Sequence, residues 1–190
     1  PGAESYAAVD PLWGGFYVGF HGGYGFGEAT SAFFGSTKVE PKGALAGGQL
    51  GDNWQTQGRW VLGFVVDGTW LDQVKDTPVE GLTTKYAYMG TVRGKVGMLL
   101  TDHILLSGTA GLAFAKHSAT IDCRDCGIEY NKNGFGWVGG GGVEVAFNRN
   151  WSVFAEYLYT DFGRDSIVDM IPYQTTLHQV RGGVNFRFAP

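Results

Sequence analysis

Apolar and polar residues alternate with a period of two in eight segments of about ten residues each: 16–26, 43–54, 60–70, 86–100, 104–116, 135–147, 151–159 and 178–188. Side chains on a strand point alternately to opposite faces, so the pattern predicts eight strands. Between them, "QTQGR", "TDH" and "NRN" are tight connections, whereas 27–42, 71–85, 117–134 and 160–177 are long and polar. Short turns at one end and long loops at the other define an antiparallel up-and-down barrel with both chain termini on the short-turn side. A single domain spanning 1–190 is expected, with 1–15 as an N-terminal segment and the barrel from about 16 to 188.

The two faces differ sharply. One carries large residues such as Phe20, Leu62, Val92, Leu112, Val143, Tyr157 and Val184, and its aromatics gather at the strand ends. Phe16, Trp54, Trp60, Phe147, Trp151 and Phe188 fall at the short-turn end; Phe26, Trp70, Tyr86, Phe135 and Tyr159 fall at the other. The second face carries His21, Gln49, Asn53, Thr69, Ser107, Ser152, Gln179, Asn185 and many glycines, with the charged residues Asp67, Arg93, Lys95, Glu144, Glu156, Arg181 and Arg187. An eight-stranded barrel has an interior just wide enough for side chains to fill, so it cannot hold the aromatic face. The small, polar face is therefore inside, and the aromatic face meets lipid, with its strand-end rings forming two interfacial girdles. In "VFAEYLYTDFG" (153–163), Tyr157 and Tyr159 then face lipid, Glu156 faces the lumen, and Asp161 to Gly163 are expected to begin an outer loop.

Composition narrows the class further. The 32 glycines lack a Gly-X-Y period, and 44% hydrophobic with 17% charged residues fits neither a disordered chain nor collagen. A net charge of -4 without clustered Lys and Arg argues against nucleic acid as a partner. No apolar run approaches the roughly 20 residues of a spanning helix. The first ten residues lack the features of a signal peptide, so either the chain is not exported or its signal peptide has been removed. Cys123 and Cys126 are the only cysteines and would form a short loop disulfide in an oxidising compartment.

Other motifs weigh less. Gly134, Gly136 and Gly139 match G-x-G-x-x-G, but a dinucleotide site also needs a parallel strand and a helix, which the pattern does not supply. One cysteine pair, even beside Asp122, Asp125, Glu129 and His117, falls short of a structural zinc set, so no metal and no cofactor are expected. His117 and Ser118, with His103, Ser107 and Glu129, invite a lipid-hydrolase reading. Adjacent strand residues point to opposite faces, however, and His103 sits in a short turn at the other end. The lumen charges could line a narrow channel for ions or small solutes. A packed network is the stronger expectation, with Asp67 approaching Arg93 and Glu156 approaching Arg181, because each buried charge needs a partner.

"WGGFYVGFHGGYGFG", "GGQLGDNWQ", "GRWVLGFVVDG", "GTVRGKVGMLLTDHILLSGTAGLAFA", "VGGGGVEVAFNRNWSVFAEYLYTDFG" and the closing "HQVRGGVNFRF" resemble the small porin-like outer-membrane β-barrel proteins of α-proteobacteria, of the Omp25/Omp31 type. The resemblance covers nearly all strands and short turns, and not the outer loops. It implies an eight-stranded barrel integral to a Gram-negative outer membrane, with periplasmic termini and four extracellular loops. It also implies insertion by the barrel-assembly machinery, signal-peptide removal, and roles in envelope integrity and surface contact. Expected partners are outer-membrane lipid, lipopolysaccharide and lateral or loop-bound proteins; no catalytic residues are implied. Ala189 and Pro190 follow Phe188, where the resemblance places the terminal aromatic of an assembly signal.

Overall fold

The structure, a computed structural model, describes residues 12–31, 37–39, 42–56, 58–74, 87–123, 126–166 and 172–188, with side chains for 12–27, 42–56, 58–71, 88–115, 134–163 and 176–188. Its strands are β1 (Gly15–Ser31), β2 (Thr37–Val39), β3 (Lys42–Gln55), β4 (Trp60–Val74), β5 (Ala87–Thr101), β6 (Ile104–Cys123), β7 (Cys126–Ala146), β8 (Trp151–Ser166) and β9 (Pro172–Arg187). β2 and β3 pair with the same edge of β1 in one continuous register, Ala29 opposite Val39 and Phe26 opposite Lys42. Together they form one barrel strand. All pairings are antiparallel between sequence neighbours, and β1 closes onto β9 from Tyr17 opposite Arg187 to Ser31 opposite Tyr173. The result is a closed eight-stranded barrel.

The turns follow from their residues. Asn148 Oδ1 accepts from the amides of Asn150 (2.9 Å) and Trp151 (2.8 Å), which closes the β7–β8 connection. Thr101 Oγ1 accepts from His103 N (3.3 Å) in the β5–β6 turn, and Gly58, at φ 115°, supplies the left-handed residue between β3 and β4.

Two expectations need correction. Segments 27–42, 71–85, 117–134 and 160–177 are not wholly loops: β1 runs on to Ser31 opposite Thr37, β4 runs on to Val74 opposite Lys42, β6 and β7 stay paired up to Cys123 opposite Cys126, and β8 and β9 pair up to Ser166 opposite Pro172. Polar residues hid these extensions because a strand clear of the membrane has no apolar face to show. Asp161 to Gly163 likewise do not leave the sheet. Register shifts between Asp161 and Arg164, Gly163 adopts φ 70°, and its amide donates to Asp161 Oδ1 (2.7 Å). The residues form a bulge within β8, a device that re-aims a side chain. Here it re-aims Phe162, which packs over the interior.

Candidate functional site

The interior is layered along the barrel axis. At the loop end, buried Leu45, Leu71 and Met89 form one cluster and Ala113, Val138 and Leu158 another, with Phe162 packed against both. Below them His21, inside the barrel, lies 2.9 Å from Thr69 Oγ1.

A ring of four charged side chains follows. Arg93 Nη2 donates to Asp67 Oδ2 at 2.8 Å and Arg93 Nη1 to Glu156 Oε2 at 2.9 Å; Arg181 Nε donates to Glu156 Oε1 at 2.7 Å and Arg181 Nη1 to Asp67 Oδ1 at 3.2 Å. β4 and β5 hold one half of the ring, and β8 and β9 the other, so it ties opposite walls together. Asp67 also accepts from Thr91 Oγ1 (2.5 Å). The second layer centres on Glu144, which accepts from Lys95 (2.9 Å), Arg187 (3.3 Å), Ser152 (2.6 Å) and Asn185 (3.0 Å). All seven charged lumen positions read from the sequence are thus brought into two networks.

Interior glycines make these networks fit. A Cβ at Gly142 would stand 2.6 Å from Glu156 Cβ, and one at Gly183 would stand 2.8 Å from the Phe154 ring. Any larger residue at either position would displace its neighbour.

Sequence reading missed the residue that closes the turn end. Trp13, fully buried, enters the mouth and packs with Val61, Leu99, Leu105 and Ala146. Its indole Nε1 donates to Asp102 O (2.9 Å), the Arg187 guanidinium lies 5.1 Å from its ring centre, and Arg187 Nη1 donates to Leu12 O (3.1 Å). "PLW" just before β1 was the available signal: a lone tryptophan outside the strand alternation.

The outer wall carries the aromatic face. Phe16, Trp54, Trp60, Phe147, Trp151 and Phe188 are exposed at the turn end, with Phe16 stacked on Phe188 at 5.8 Å. At the other end Phe26, Trp70 and Phe135 are exposed, and Tyr159 lies 5.3 Å from Trp137. Leu50, Met98 and Leu100 join this exposed wall. Tyr86 lies outside the described residues. The side chains of Cys123 and Cys126 also lie outside them, although their backbones face each other at the tip of the β6–β7 hairpin.

The motifs set aside on sequence grounds lie at different levels of the barrel. Gly134, Gly136 and Gly139 sit along β7 in an antiparallel sheet. Ser107 lines the interior, His103 occupies the opposite turn, and His117, Ser118 and Glu129 belong to the far end of the β6–β7 hairpin with undescribed side chains. Among the described residues no group of three or more His, Cys, Asp or Glu could hold a metal ion, and no helix is long and apolar enough to cross a membrane.

A closed barrel with an aromatic outer wall and a charged, polar interior is the architecture of an integral outer-membrane β-barrel. Residues 2–188 match the family described as "Outer membrane protein beta-barrel domain", and the chain belongs to that family. It is 33% identical to the 31 kDa outer-membrane immunogenic protein of Brucella melitensis, over 99% of this chain and 89% of that one. It is 38% identical to a 22 kDa outer membrane protein of Rhizobium leguminosarum bv. viciae, over 82% of this chain and 68% of that one. These relatives place it with the Omp25/Omp31 type of α-proteobacterial barrels. In fold it is similar to neisserial surface protein A (TM-score 0.65, 18% identity, covering 91% of this chain and 97% of that one). It is also similar to Ail of Yersinia pestis (0.57, 14%, covering 92% and 99%).

Proposed function

We propose that this protein is a non-enzymatic, non-conducting barrel. It contributes to the integrity of the outer membrane, holds its termini in the periplasm and presents its long-loop end at the cell surface. The closure of the lumen at both ends carries this reading: the Trp13 cluster lies at one mouth and the Leu45–Leu71–Met89 and Ala113–Val138–Leu158 clusters lie at the other. Between them every charged side chain of the described interior is ion-paired, so no row of hydrated charge runs through a bore.

The loop-end rim supports a partnership with lipid headgroups, lipopolysaccharide among them. Lys42, Phe26 and His178 share one outward row, His178 stacks on Phe26 at 5.3 Å, and its Nδ1 lies 2.6 Å from Tyr157 Oη. A cation and an imidazole at the interface suit phosphate groups. Lateral or loop-bound protein partners, and the barrel-assembly machinery during insertion, belong to the same reading.

Planar-bilayer recording of the purified barrel tests it. We expect no steady channel from the native protein. Reproducible ion currents that persist after removal of co-purifying porins would overturn the closed-barrel reading in favour of a narrow pore. Release of fatty acid from lipid A, abolished by Ser118→Ala, would instead establish a hydrolase.

A further inference from the structure

The buried charges do not balance. Among the described residues the interior holds four cationic side chains, Arg93, Lys95, Arg181 and Arg187, and three anionic ones, Asp67, Glu144 and Glu156. Arg93 and Arg181 share Asp67 and Glu156, which leaves their ring neutral. The surplus therefore lies in the second layer, where Lys95 and Arg187 share the single carboxylate of Glu144. An uncompensated charge in a water-poor interior is strongly unfavourable, and a counter-ion is the direct remedy.

A cavity lies at this level. It has a volume of about 30 Å3 and is lined by Lys95, Arg93, Glu144 and Glu156, by the hydroxyl residues Tyr17, Ser107 and Thr109, and by Gln49 and Asn185. That is room for about two water-sized particles. The carboxylates of Glu144 and Glu156 in its lining already accept from Lys95, Arg187, Ser152, Asn185, Arg93 and Arg181, so the hydrogen-bonding capacity left over is mostly that of donors. Lys95 has three N–H groups; its ammonium makes one hydrogen bond, to Glu144 Oε2, and lies 5.7 Å from the centre of the Tyr17 ring. Thr109 Oγ1 already accepts from Arg93, so its own proton is left to give. Gln49 is buried, its amide nitrogen donates to Asn185 Oδ1, and its Oε1 has no partner. Donors around a positive surplus, with one unpartnered acceptor beside them, call for an anion and a water: the anion takes the Lys95 and hydroxyl protons, and the water donates to Gln49 Oε1.

We propose that this central cavity binds one small monovalent anion of halide size, with a companion water, as a built-in counter-ion of the Lys95–Glu144–Arg187 layer. The anion is an internal structural ligand. Set between the apolar clusters of the two mouths, it enters as the barrel folds and leaves when the barrel opens, so barrel stability is linked to halide.

The test uses the intact barrel, folded and crystallised in bromide, with anomalous diffraction at the bromine edge. One peak between Lys95 Nζ and the hydroxyls of Ser107 and Thr109 is expected. In parallel, the thermal midpoint in detergent is measured at constant ionic strength as gluconate is replaced by chloride or bromide. For the native protein the midpoint should rise with halide and follow a one-site dependence. Lys95→Met, which balances the interior, should abolish the dependence. Should that variant fail to fold, Thr109→Val keeps every charge and should weaken the apparent halide affinity at least tenfold. Water density without an anomalous peak overturns the proposal. So does a peak without a halide-dependent midpoint, which would mark an adventitious ion only, and so does an unchanged dependence in Thr109→Val.

Discussion

Arg181 and Asp67, 114 residues apart in sequence, meet across the barrel at 3.2 Å, while each also pairs with a residue on the strand beside it. The cross-barrel contacts turn two neighbour pairs into a closed ring. Two independent pairs and one ring respond differently to mutation. Asp67→Ala leaves two arginines sharing Glu156 and should cost about 3–5 kcal/mol of folding free energy in detergent. Asp67→Leu combined with Arg93→Leu leaves Arg181 and Glu156 balanced and should cost much less. Arg93 and Arg181 share both carboxylates, so Arg93→Leu and Arg181→Leu should be non-additive by about 0.5–3 kcal/mol. Strict additivity in urea titrations would mean the ring is two separate pairs.

Trp13 should behave as a structural plug and not as part of a flexible leader. Trp13→Ala removes a fully buried ring and should destabilise the barrel by about 3–5 kcal/mol. Trp13→Phe keeps much of the packing and loses the indole bond to Asp102 O, a change on the order of 1 kcal/mol. The acceptor is a backbone carbonyl, so Asp102→Asn should be silent. A Trp13→Ala barrel that unfolds at the native urea midpoint would refute the plug.

What the sequence made legible, and what it hid, follows from what membrane and lumen each demand. Strict alternation marked all eight barrel strands because lipid and a narrow lumen select opposite residue types at every second position. The same alternation placed all seven charges inside. It could not reveal Arg93 reaching Glu156, because the contact depends on which walls face each other and how far apart they stand. Nor could it reveal Trp13, which lies outside any strand, or the bulge at Asp161–Gly163, whose apolar Phe162 reads like the start of a loop. Extensions such as His117–Cys123 were hidden because, beyond the lipid, strand pairing leaves no apolar signature.

Barrel closure predicts resistance to dodecyl sulfate. The β1–β9 ladder leaves the barrel without a free edge at which unpairing could begin. Unheated protein should migrate differently from boiled protein in gel electrophoresis, and Cys123→Ser with Cys126→Ser should leave that shift intact. Any disulfide there closes a loop of very few residues and restricts the unfolded chain little. Loss of the shift in the double serine variant would make the hairpin tip part of the folding core.

The β8 bulge should act as the seat of the loop-end plug. Gly163 sits at φ 70°, a conformation in which a side chain costs about 1–2 kcal/mol, so Gly163→Val should either lose that stability or reset the bulge. Resetting it would carry Phe162 away from Met89, which lies 2% exposed in the cluster that Phe162 covers. A stability measurement alone cannot separate strain from unplugging, whereas methionine oxidation can, because peroxide must reach the Met89 thioether. In Phe162→Ala, peroxide oxidation of Met89 should accelerate at least tenfold, while that of lipid-facing Met98 stays unchanged. Gly163→Val should share the effect if the bulge positions the ring, and Gly163→Asn, which tolerates the left-handed region, should not. Equal Met89 oxidation rates in the native, Phe162→Ala and Gly163→Val proteins would show that the cluster of Leu45, Leu71 and Met89 seals the mouth without Phe162.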